Sequence, residues 1–505
     1  MKVDGEKMSE KIWDEFVRIG EEAMRLWDMS SVSVGVVKGG ETVFTHSFGK
    51  RDIENDLDAD QDTLYQIASC TKAFTAAVCC TLADQGLLDL DEPIRTYCPE
   101  IRFYDDYTSD NVSVKDLLCH RTGLPRHEFA WYGSSFTRRQ LCENMAHLEP
   151  NEGFRTKFQY CNYGYTLASY VCERVSGKTF EQLLSELILD PLEMKRSNIY
   201  TCDILEDPNH GVPYGRPHDG DGMTGQEVMD FFTSSVEDKT KERSFPDAAA
   251  GCINSSVGDM LKWLKFNLAG GKVGDRQLIS EKMMAQMHKP QMIRLNPMDM
   301  PNEFTDFMCY GLGWFVEMYR GHKYIYHGGN INGFSAYMAL MPDLDLGIVI
   351  LTNMDSTFVN DALGRTIIDL CLGIRDTDWA VKYRDFLAEL LKGRINAYAE
   401  FTGPKILYTA PSHPIAEYAG IYVKAGYPDL KVEEENDVLY AYLGGVRIPL
   451  AHYHYDVFTS ADTVGLIEKG LPFVFSPNEN GSVISSVSTL LLSEVNTKPV
   501  EFKKK

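Results

Sequence analysis

Apolar and polar residues follow patterns along the chain that predict both helices and strands. Near the N-terminus, apolar residues recur at helical spacing among acidic ones, at Ile12, Phe16, Ile19 and Met24. This spacing predicts an amphipathic helix. The stretch 32–52 instead holds two runs of strand-forming residues separated by two adjacent glycines, which predicts a hairpin with a tight turn.

A longer apolar run occupies 73–90 and is rich in Ala, Leu, Val, Phe and Cys. Gly86 offers a helix stop near its end. Because the run is apolar on nearly every side, we expect a buried helix that begins around Ser69.

The middle of the chain alternates helical segments, at 163–175 and 256–269, with loops rich in Pro, Gly and Asp. The longest of these loops covers 202–247. Ser255 or Ser256 is expected to cap the second of these helices, a structural role with no chemistry attached.

The C-terminal half is richer in predicted strands. Residues 322–353 predict two or three strands, the last of them very apolar, and a helix is expected at about 378–400. After it, short alternating runs predict about eight strands, which fit a small antiparallel barrel or sandwich. The predicted domains are 1–400, a linker at 401–414 rich in Pro and Gly, and the β domain at 415–505.

Composition and charge narrow the function classes. A net charge of -23 over 505 residues argues against binding nucleic acid or docking on anionic membranes. The N-terminus has no signal-peptide pattern and no stretch reaches membrane-spanning length, so we expect a cytoplasmic protein. The twelve cysteines form no C-x-x-C or metal pattern, which favours buried reduced thiols over disulfides or zinc. No cofactor or metal is predicted.

The most informative motif is Ser69-Cys70-Thr71-Lys72 at the start of the buried helix. Residues three apart share a helix face, so a hydroxyl and an amine would lie side by side. The positive end of the helix dipole opposes protonation of Lys72 and favours its action as a base for Ser69.

A second match to the same pattern joins Ser47 to Lys50. It lies in the second strand of the predicted hairpin, where residues three apart point to opposite faces. We therefore interpret Ser47 as structural.

Other candidates are weaker when taken singly. Tyr160 and Asn162 precede an apolar helix expected to start around Gly164 or Tyr165, and could share a pocket wall; the alternative is a core aromatic residue and an N-cap. His120 lies at a helix end, where satisfying the last carbonyls is favoured over catalysis.

Two glycines follow a predicted strand at His327-Gly328-Gly329-Asn330. Glycines in this position allow a backbone to approach a ligand closely. The alternative is an ordinary turn with a surface histidine.

Together the motifs occur in the order S-x-x-K, Y-x-N, H-G-G, with surroundings such as LLCHRTGLP, FQYCNYGY, YGLGWFV and HGGNINGF. In this the chain resembles the serine beta-lactamase and penicillin-binding-protein-like hydrolases, closest to the class C beta-lactamase and esterase branch, peptidase family S12. The resemblance covers about 30–375. The tail from about Glu417 is similar to the small lipocalin-like β domain of some members.

The resemblance implies an α/β (α+β) fold, with an antiparallel sheet flanked by helices and a helical lobe, followed by the small barrel. It implies that Ser69 forms an acyl-enzyme, with Lys72 and Tyr160 sharing the general-base work. The oxyanion would be held by the backbone N–H groups of Ser69 and Asn330. Asn162 would bond the amide of the substrate or Lys72.

Two positions depart from the family pattern. His327 stands where a lysine is usual, so a fixed cation for a substrate carboxylate is not expected, because histidine is mostly neutral at pH 7. This lowers the expectation of beta-lactamase activity. Cys161 replaces a serine inside Y-x-N and should point away from the pocket.

The leading hypothesis is a serine hydrolase of esterase or D-aminopeptidase type acting on esters, small amides or short peptides. An acyltransferase that uses the same acyl-enzyme is one alternative. A non-catalytic binding or scaffold protein that kept the fold is another. The predicted partner is a small-molecule substrate, with no nucleic acid and no membrane, and the sequence indicates no oligomeric state.

Overall fold

The computed structural model describes residues 10–132, 134–200, 203–215, 245–294, 304–331, 333–354, 357–443, 446–462, 469–490 and 499–505. Most of the long loop expected at 202–247 lies outside these residues. The helices of the described residues are α1 Glu10–Trp27, α2 Thr71–Asp84, α3 Asp106–Asn111, α4 Val114–Leu118, α5 Glu128–Trp131, α6 Arg138–Asn144, α7 Asn162–Ser176, α8 Phe180–Leu184, α9 Asp203–Glu206, α10 Ala248–Gly251, α11 Val257–Leu268, α12 Glu281–Met287, α13 Val359–Cys371 and α14 Trp379–Thr402.

The strands fall into a large sheet, a barrel and two short two-stranded pairs. Those before the barrel are β1 Ser31–Lys38, β2 Glu41–Asp52, β3 Leu57–Asp58, β4 Tyr65–Gln66, β5 Asn254–Ser255, β6 Lys272–Val273, β7 Arg276–Gln277, β8 Met292–Ile293, β9 Thr305–Tyr310, β10 Phe315–Tyr319, β11 His322–Ile331, β12 Phe334–Met341 and β13 Leu346–Thr352. Those of the barrel are β14 Gly420–Val423, β15 Leu430–Glu435, β16 Val438–Leu443, β17 Val446–His454, β18 Val457–Ser460, β19 Pro472–Pro477, β20 Ile484–Thr489 and β21 Val500–Lys504.

The large sheet is antiparallel and joins the two ends of the first domain. Its strand order is β3-β2-β1-β13-β12-β11-β10-β9-β8, so β1 lies between β2 and the late strand β13. The predicted hairpin is β1–β2, and Gly39 and Gly40 form its turn with φ of 61° and 75°, which favours glycine at both positions. The region 322–353, which is predicted to contain two or three strands, contains three, β11 to β13.

Apolar side chains fill both faces of this sheet. One face packs on α1, α13 and α14, with Phe16 and Trp379 fully buried there. The other face packs on α2 and α11, where Phe74 stacks on Trp263 with ring centroids 3.9 Å apart. Helix α2 is buried along nearly its whole length, as its apolar composition predicts.

Two helix boundaries test the capping predictions. The Ser256 side chain accepts a hydrogen bond from the Asp259 N–H at 3.3 Å and caps α11, which confirms the predicted N-cap. Helix α7, however, begins at Asn162 rather than near Gly164, and Cys161 occupies its N-cap position without a side-chain bond. Asn162 is therefore the first helical residue, and its side chain is available for other contacts.

The C-terminal strands form a closed barrel in which each strand pairs with its sequence neighbours and β14 pairs with β21. The eight strands match the number that the alternating pattern predicts. The apolar interior of the barrel continues into the core cluster that contains α2.

None of the described cysteines forms a disulfide, and all of them are buried except for half-buried Cys371. Burial is the main cause that raises the pKa of most of them. Cys202 lies outside the described residues. None of the described helices combines the length and apolar character needed to cross a bilayer.

Candidate active site

Ser69 and Lys72 lie side by side, as their spacing predicts. Ser69 is in a 3-10 turn, Ala68–Cys70, which leads directly into α2 and which we call the Ser69 turn. The ammonium Nζ of Lys72 donates to Ser69 Oγ at 3.0 Å and to the backbone carbonyl of Ala250 at 2.6 Å. Ser69 is partly exposed between buried neighbours, so its hydroxyl is accessible.

The backbone of the Ser69 turn is strained and closely packed. Ala68 adopts a left-handed φ of 46°, which an L-residue rarely takes outside a site that enforces it. Strand β11 presses against this turn: a Cβ on Gly329 would lie 2.5 Å from the Ile67 carbonyl oxygen and 2.8 Å from the Ser69 nitrogen. Position 329 therefore requires glycine, because any side chain would displace the backbone that carries Ser69.

Burial makes Lys72 a base near neutral pH. The side chain is fully buried, and desolvation, with a smaller effect of the nearby Arg126 cation, lowers the pKa of Lys72 to about 7. The negative charge of Glu128 raises the pKa of Lys72. A lysine with such a pKa is largely neutral slightly above pH 7 and can accept the proton of a neighbouring hydroxyl.

Tyr160 lies beside this pair. Lys72 Nζ is 5.0 Å from the centroid of the Tyr160 ring, and the guanidinium of Arg126 is 5.0 Å from the same centroid. The ring of His120 stacks on it, with centroids 4.3 Å apart. The structure thus brings Tyr160 together with Ser69 and Lys72 from a separate part of the chain.

His120 is structural, but not in the way that its position at a helix end predicts. Its Nδ1 accepts a hydrogen bond from the Cys161 N–H at 3.1 Å, and its carbonyl accepts one from the Gln159 N–H at 2.8 Å. Burial holds the pKa of His120 well below its ordinary value, so the ring is neutral. These two bonds flank Tyr160, and His120 therefore fixes the segment that presents the phenol.

Asn162 contacts a residue that sequence reasoning missed. Its amide Nδ2 lies 3.2 and 3.3 Å from the two carboxylate oxygens of Glu128. Arg126 donates from Nε to one of the same oxygens. Glu128 is only 4% exposed, so this ion pair lies inside the site.

His327 and the glycines that follow lie in β11 rather than in a surface turn. His327 is buried, and its Nε2 lies 2.8 Å from the hydroxyl of Tyr310. Burial lowers the pKa of His327 to about 3, so it provides no cation near neutral pH. Asn330 is exposed, and its side-chain oxygen accepts a hydrogen bond from the Ser335 hydroxyl at 2.5 Å.

The serine and lysine of the second sequence match, Ser47 and Lys50, have different partners. Ser47 lies in β2 and shares a hydrogen bond of 2.9 Å with Ser33, whereas Lys50 forms salt bridges with Asp56 and Asp58. Strand geometry separates the two side chains, as predicted.

Sequence reasoning did not identify Arg126, Glu128 or Tyr310 as contributors to the site, nor the carbonyl of Ala250. A signal exists for the first two, since a base and an acid two residues apart follow a Leu-Pro pair and precede the apolar run Phe129-Ala130-Trp131. Their contact with Asn162 depends on the tertiary fold.

Family models match both parts of the chain. A model described as Beta-lactamase matches residues 21–371, and a model described as Domain of unknown function (DUF3471) matches residues 405–504. The first match contains every candidate site residue, and the second contains the barrel.

Individual proteins are similar over long stretches. The chain is 28% identical over 504 residues to "Unguisins hydrolase ungD" of Aspergillus violaceofuscus (strain CBS 115571), covering 92% of this chain and 86% of that protein. It is 25% identical over 334 residues to "Protein flp" of Staphylococcus aureus (strain MW2), covering 65% of this chain and 60% of that protein.

Among solved structures, the octameric penicillin-binding protein homologue from Pyrococcus abyssi matches with a TM-score of 0.60 at 22% identity, covering 97% of this chain and 100% of that one. At this identity the likeness shows the fold alone. Because it covers 97% of this chain, the match extends over both the large sheet and the barrel.

Proposed function

Because the chain belongs to the beta-lactamase family, as its sequence motifs predict, we propose that it is a serine hydrolase that forms an acyl-enzyme at Ser69. The observation that carries the proposal is the 3.0 Å contact between Ser69 Oγ and a lysine whose pKa is lowered to about 7. A hydroxyl becomes a nucleophile when an adjacent base can take its proton.

In the proposed reaction, neutral Lys72 accepts the proton of Ser69 as Oγ attacks the carbonyl carbon of an ester or small amide. Tyr160 shares the proton transfer, and the leaving group departs with a proton. The N–H groups of Ser69 and Asn330 stabilise the oxyanion. Water then attacks the acyl-enzyme and gives a proton to neutral Lys72, which passes it to Ser69 Oγ as the bond to the acyl group breaks, so that the acid leaves and Lys72 is neutral again.

The class of substrate is part of the proposal. The relative from Aspergillus violaceofuscus is called a hydrolase, which supports hydrolysis as the reaction of this chain. Neutral His327 leaves the position of the family's lysine without a charge, which disfavours substrates that need a cation there. We propose esters, small amides or short peptides as the substrates, acted on by an esterase or peptidase of this family.

The test is labelling with a fluorophosphonate followed by intact mass spectrometry. We expect one adduct on the wild type and none on Ser69→Ala. Ser47→Ala is the matched control, because Ser47 has the same spacing to a lysine but lies in a strand, and it should label like the wild type. A folded wild type that forms no adduct would support a non-catalytic binding protein instead.

A further inference from the structure

A buried threonine of α2 binds the segment that supplies the second hydrogen-bond partner of Lys72. Thr75 is fully buried, and its hydroxyl Oγ1 lies 2.7 Å from the backbone carbonyl oxygen of Ala249 and 3.4 Å from that of Thr71. The hydroxyl has one hydrogen to donate, and the shorter distance assigns it to Ala249. The next carbonyl in the chain, that of Ala250, accepts from Lys72 Nζ at 2.6 Å. Adjacent carbonyls of the short helix α10 therefore accept from Thr75 and from Lys72.

Two further hydrogen bonds join the end of the segment 249–253 to the start of α2. The Ile253 N–H donates to Thr71 Oγ1 at 3.1 Å, and the Ile253 carbonyl accepts from the Ile67 N–H at 2.9 Å. All three residues are fully buried. Because each peptide unit is planar and the segment is held at both ends, a shift of one carbonyl moves the next. The position of the carbonyl that binds Lys72 thus depends on the hydrogen bond that Thr75 donates.

The Ala250 carbonyl restricts the orientation of the lysine amine. Neutral Lys72 has two N–H groups and one lone pair, and only the lone pair can accept the proton of Ser69. An N–H directed at the Ala250 carbonyl limits rotation of the amine about its carbon–nitrogen bond. The lone pair can then stay directed at Ser69 Oγ, which lies 3.0 Å away.

We infer that Thr75 is a positioning residue of the candidate site: its hydroxyl holds the segment 249–253 so that the Ala250 carbonyl orients Lys72 for proton transfer from Ser69. Thr75 itself touches neither the reacting hydroxyl nor the amine and acts through the backbone of α10. The inference rests on the proposed function, since it concerns the base that activates Ser69.

The main test is Thr75→Val, which keeps the size of the side chain and replaces the hydroxyl with a methyl group. A carbon atom approaches a carbonyl oxygen to about 3.3 Å at the closest, so the Ala249 carbonyl must move away from its 2.7 Å position. We expect kcat/KM for p-nitrophenyl acetate on its high-pH plateau to fall about tenfold to a hundredfold, after subtraction of the Ser69→Ala background.

The pH dependence distinguishes positioning from a general loosening of the site. Protonated Lys72 also donates to the Ala250 carbonyl, so loss of this acceptor disfavours the ammonium and should shift the rise of kcat/KM to lower pH. A loosening that admits water would weaken desolvation, raise the pKa of Lys72 and shift the rise to higher pH.

Two further variants separate the hydroxyl from the rest of the side chain. Thr75→Ser keeps the donor and should retain the wild-type plateau and pH dependence. Thr81→Val is the matched control, because Thr81 lies in the same helix, is 6% exposed and donates to the Ala77 carbonyl within α2 at 2.8 Å. It should change the plateau by less than about threefold. Circular dichroism checks that each variant is folded.

Fluorophosphonate labelling of the same preparations separates the two proposals. Labelled wild type combined with a folded Thr75→Val that keeps the wild-type plateau, or that shifts the rise to higher pH, overturns the inference and leaves the proposed function standing. Equal losses in Thr75→Val and Thr81→Val, or in Thr75→Val and Thr75→Ser, also overturn the inference. Unlabelled wild type overturns the proposed function and the inference with it.

A second pair of variants decides if Thr75→Val does not fold. Thr75→Ala and Thr75→Ser both lack the methyl group and differ only in the hydroxyl. Thr75→Ala leaves the buried Ala249 carbonyl without the donor that Thr75 supplies, so its plateau should fall at least fivefold below that of Thr75→Ser, by about the usual effect of one lost hydrogen bond. Equal plateaus would overturn the inference.

Discussion

The reactivity of Lys72 depends on two oppositely charged neighbours as well as on burial. Desolvation contributes most to lowering its pKa, Arg126 lowers the pKa further, and Glu128 raises it. Because these two side chains also bind each other, the site sets the basicity of the lysine and the orientation of Asn162 with the same ion pair.

The pH dependence of acylation should report on Lys72. A lysine acts as a base only when neutral, so kcat/KM for a p-nitrophenyl ester should rise as the pH increases through about 7 and then level off. Arg126→Met removes a cation that lowers the pKa of Lys72, and should shift the rise of kcat/KM to higher pH. Glu128→Gln should shift it to lower pH. If kcat/KM rises over the same pH range in both variants as in the wild type, a group other than Lys72 controls its pH dependence.

For single residues, the sequence predicts the contacts between residues that are close together in the chain. Ser69 and Lys72 are one helical turn apart, so their contact follows from the helix itself. The roles of Arg126 and Glu128 could not be predicted, because each depends on where α7 brings Asn162. The neutral state of His327 could be anticipated from its residue type, but its bond to Tyr310 required the pairing of β9, β10 and β11.

Strand β11 packs closely against the Ser69 turn, and the closeness differs between its two glycines. The two glycines of β11 differ sharply in what surrounds them. A Cβ on Gly329 would meet backbone atoms at 2.5 and 2.8 Å, whereas a Cβ on Gly328 would meet only the Ala336 carbonyl oxygen at 3.8 Å. They form a natural matched pair for mutation.

Gly329→Ala should displace the backbone N–H of Ser69 from the position that the proposed oxyanion requires. We expect a loss in kcat/KM of about 100- to 1000-fold, the usual cost of removing one such donor. Gly328→Ala should change kcat/KM by less than about threefold, since its methyl group meets ordinary van der Waals space. Ester hydrolysis and thermal melting of both variants are the measurements; equal losses would contradict this account.

Most individual elements could be predicted from local signals. The glycine pair marks the β1–β2 turn, Ser256 marks the start of α11, and uniform apolar character marks α2 as buried. The start of α7 was predicted two residues late, because Asn162 suits a cap as well as a first turn. The position of β1 between β2 and β13 joins residues over three hundred apart and has no local signal.

Among the described residues, a hydrogen bond between Tyr427 and His127 connects the barrel to the segment that carries Arg126 and Glu128. The Tyr427 hydroxyl, on the loop after β14, lies 2.5 Å from Nδ1 of His127, whose Nε2 lies 3.1 Å from the Glu149 carbonyl. Burial lowers the pKa of His127 to about 4, so the ring is neutral. Because the carbonyl only accepts, Nε2 carries the hydrogen and Tyr427 donates to Nδ1.

His127 stands between Arg126 and Glu128 and has a left-handed φ of 47°. Next to it, a cavity of about 190 Å³ is lined by residues of both domains, including Pro125, His127, Lys424 and Tyr427. Thus one side of this short segment faces the barrel, while Arg126 and Glu128 contact Tyr160 and Asn162.

Tyr427→Phe should loosen the segment that carries the ion pair. We expect kcat/KM for a p-nitrophenyl ester to fall about threefold to tenfold, because the lost hydrogen bond is worth about 1 kcal/mol. Tyr455→Phe, at an exposed tyrosine of the same barrel, is the control. Equal behaviour of the two variants would show that the barrel does not influence the site through this contact.

The barrel could be predicted from its strands, since short alternating runs of even spacing are typical of small antiparallel barrels. Its docking could not be predicted, because Tyr427 and His127 are 300 residues apart and neither lies in a periodic pattern. The predicted boundaries at 400 and 415 remain predictions about independent folding. The two family models match separate stretches of this chain, 21–371 and 405–504.

Because the cysteines lie outside the barrel, thiol modification can distinguish opening of the first domain from opening of the barrel. Every cysteine of the chain precedes the barrel, and the described thiols are buried or half-buried and form no disulfide. Thiol reagents attack the exposed thiolate, so modification of the buried thiols among the described residues requires local or global opening of the first domain. Opening of the barrel alone exposes tyrosines but no thiols. Comparing the rate of thiol modification with the change in tyrosine absorbance would therefore show whether the first domain or the barrel unfolds first in denaturant.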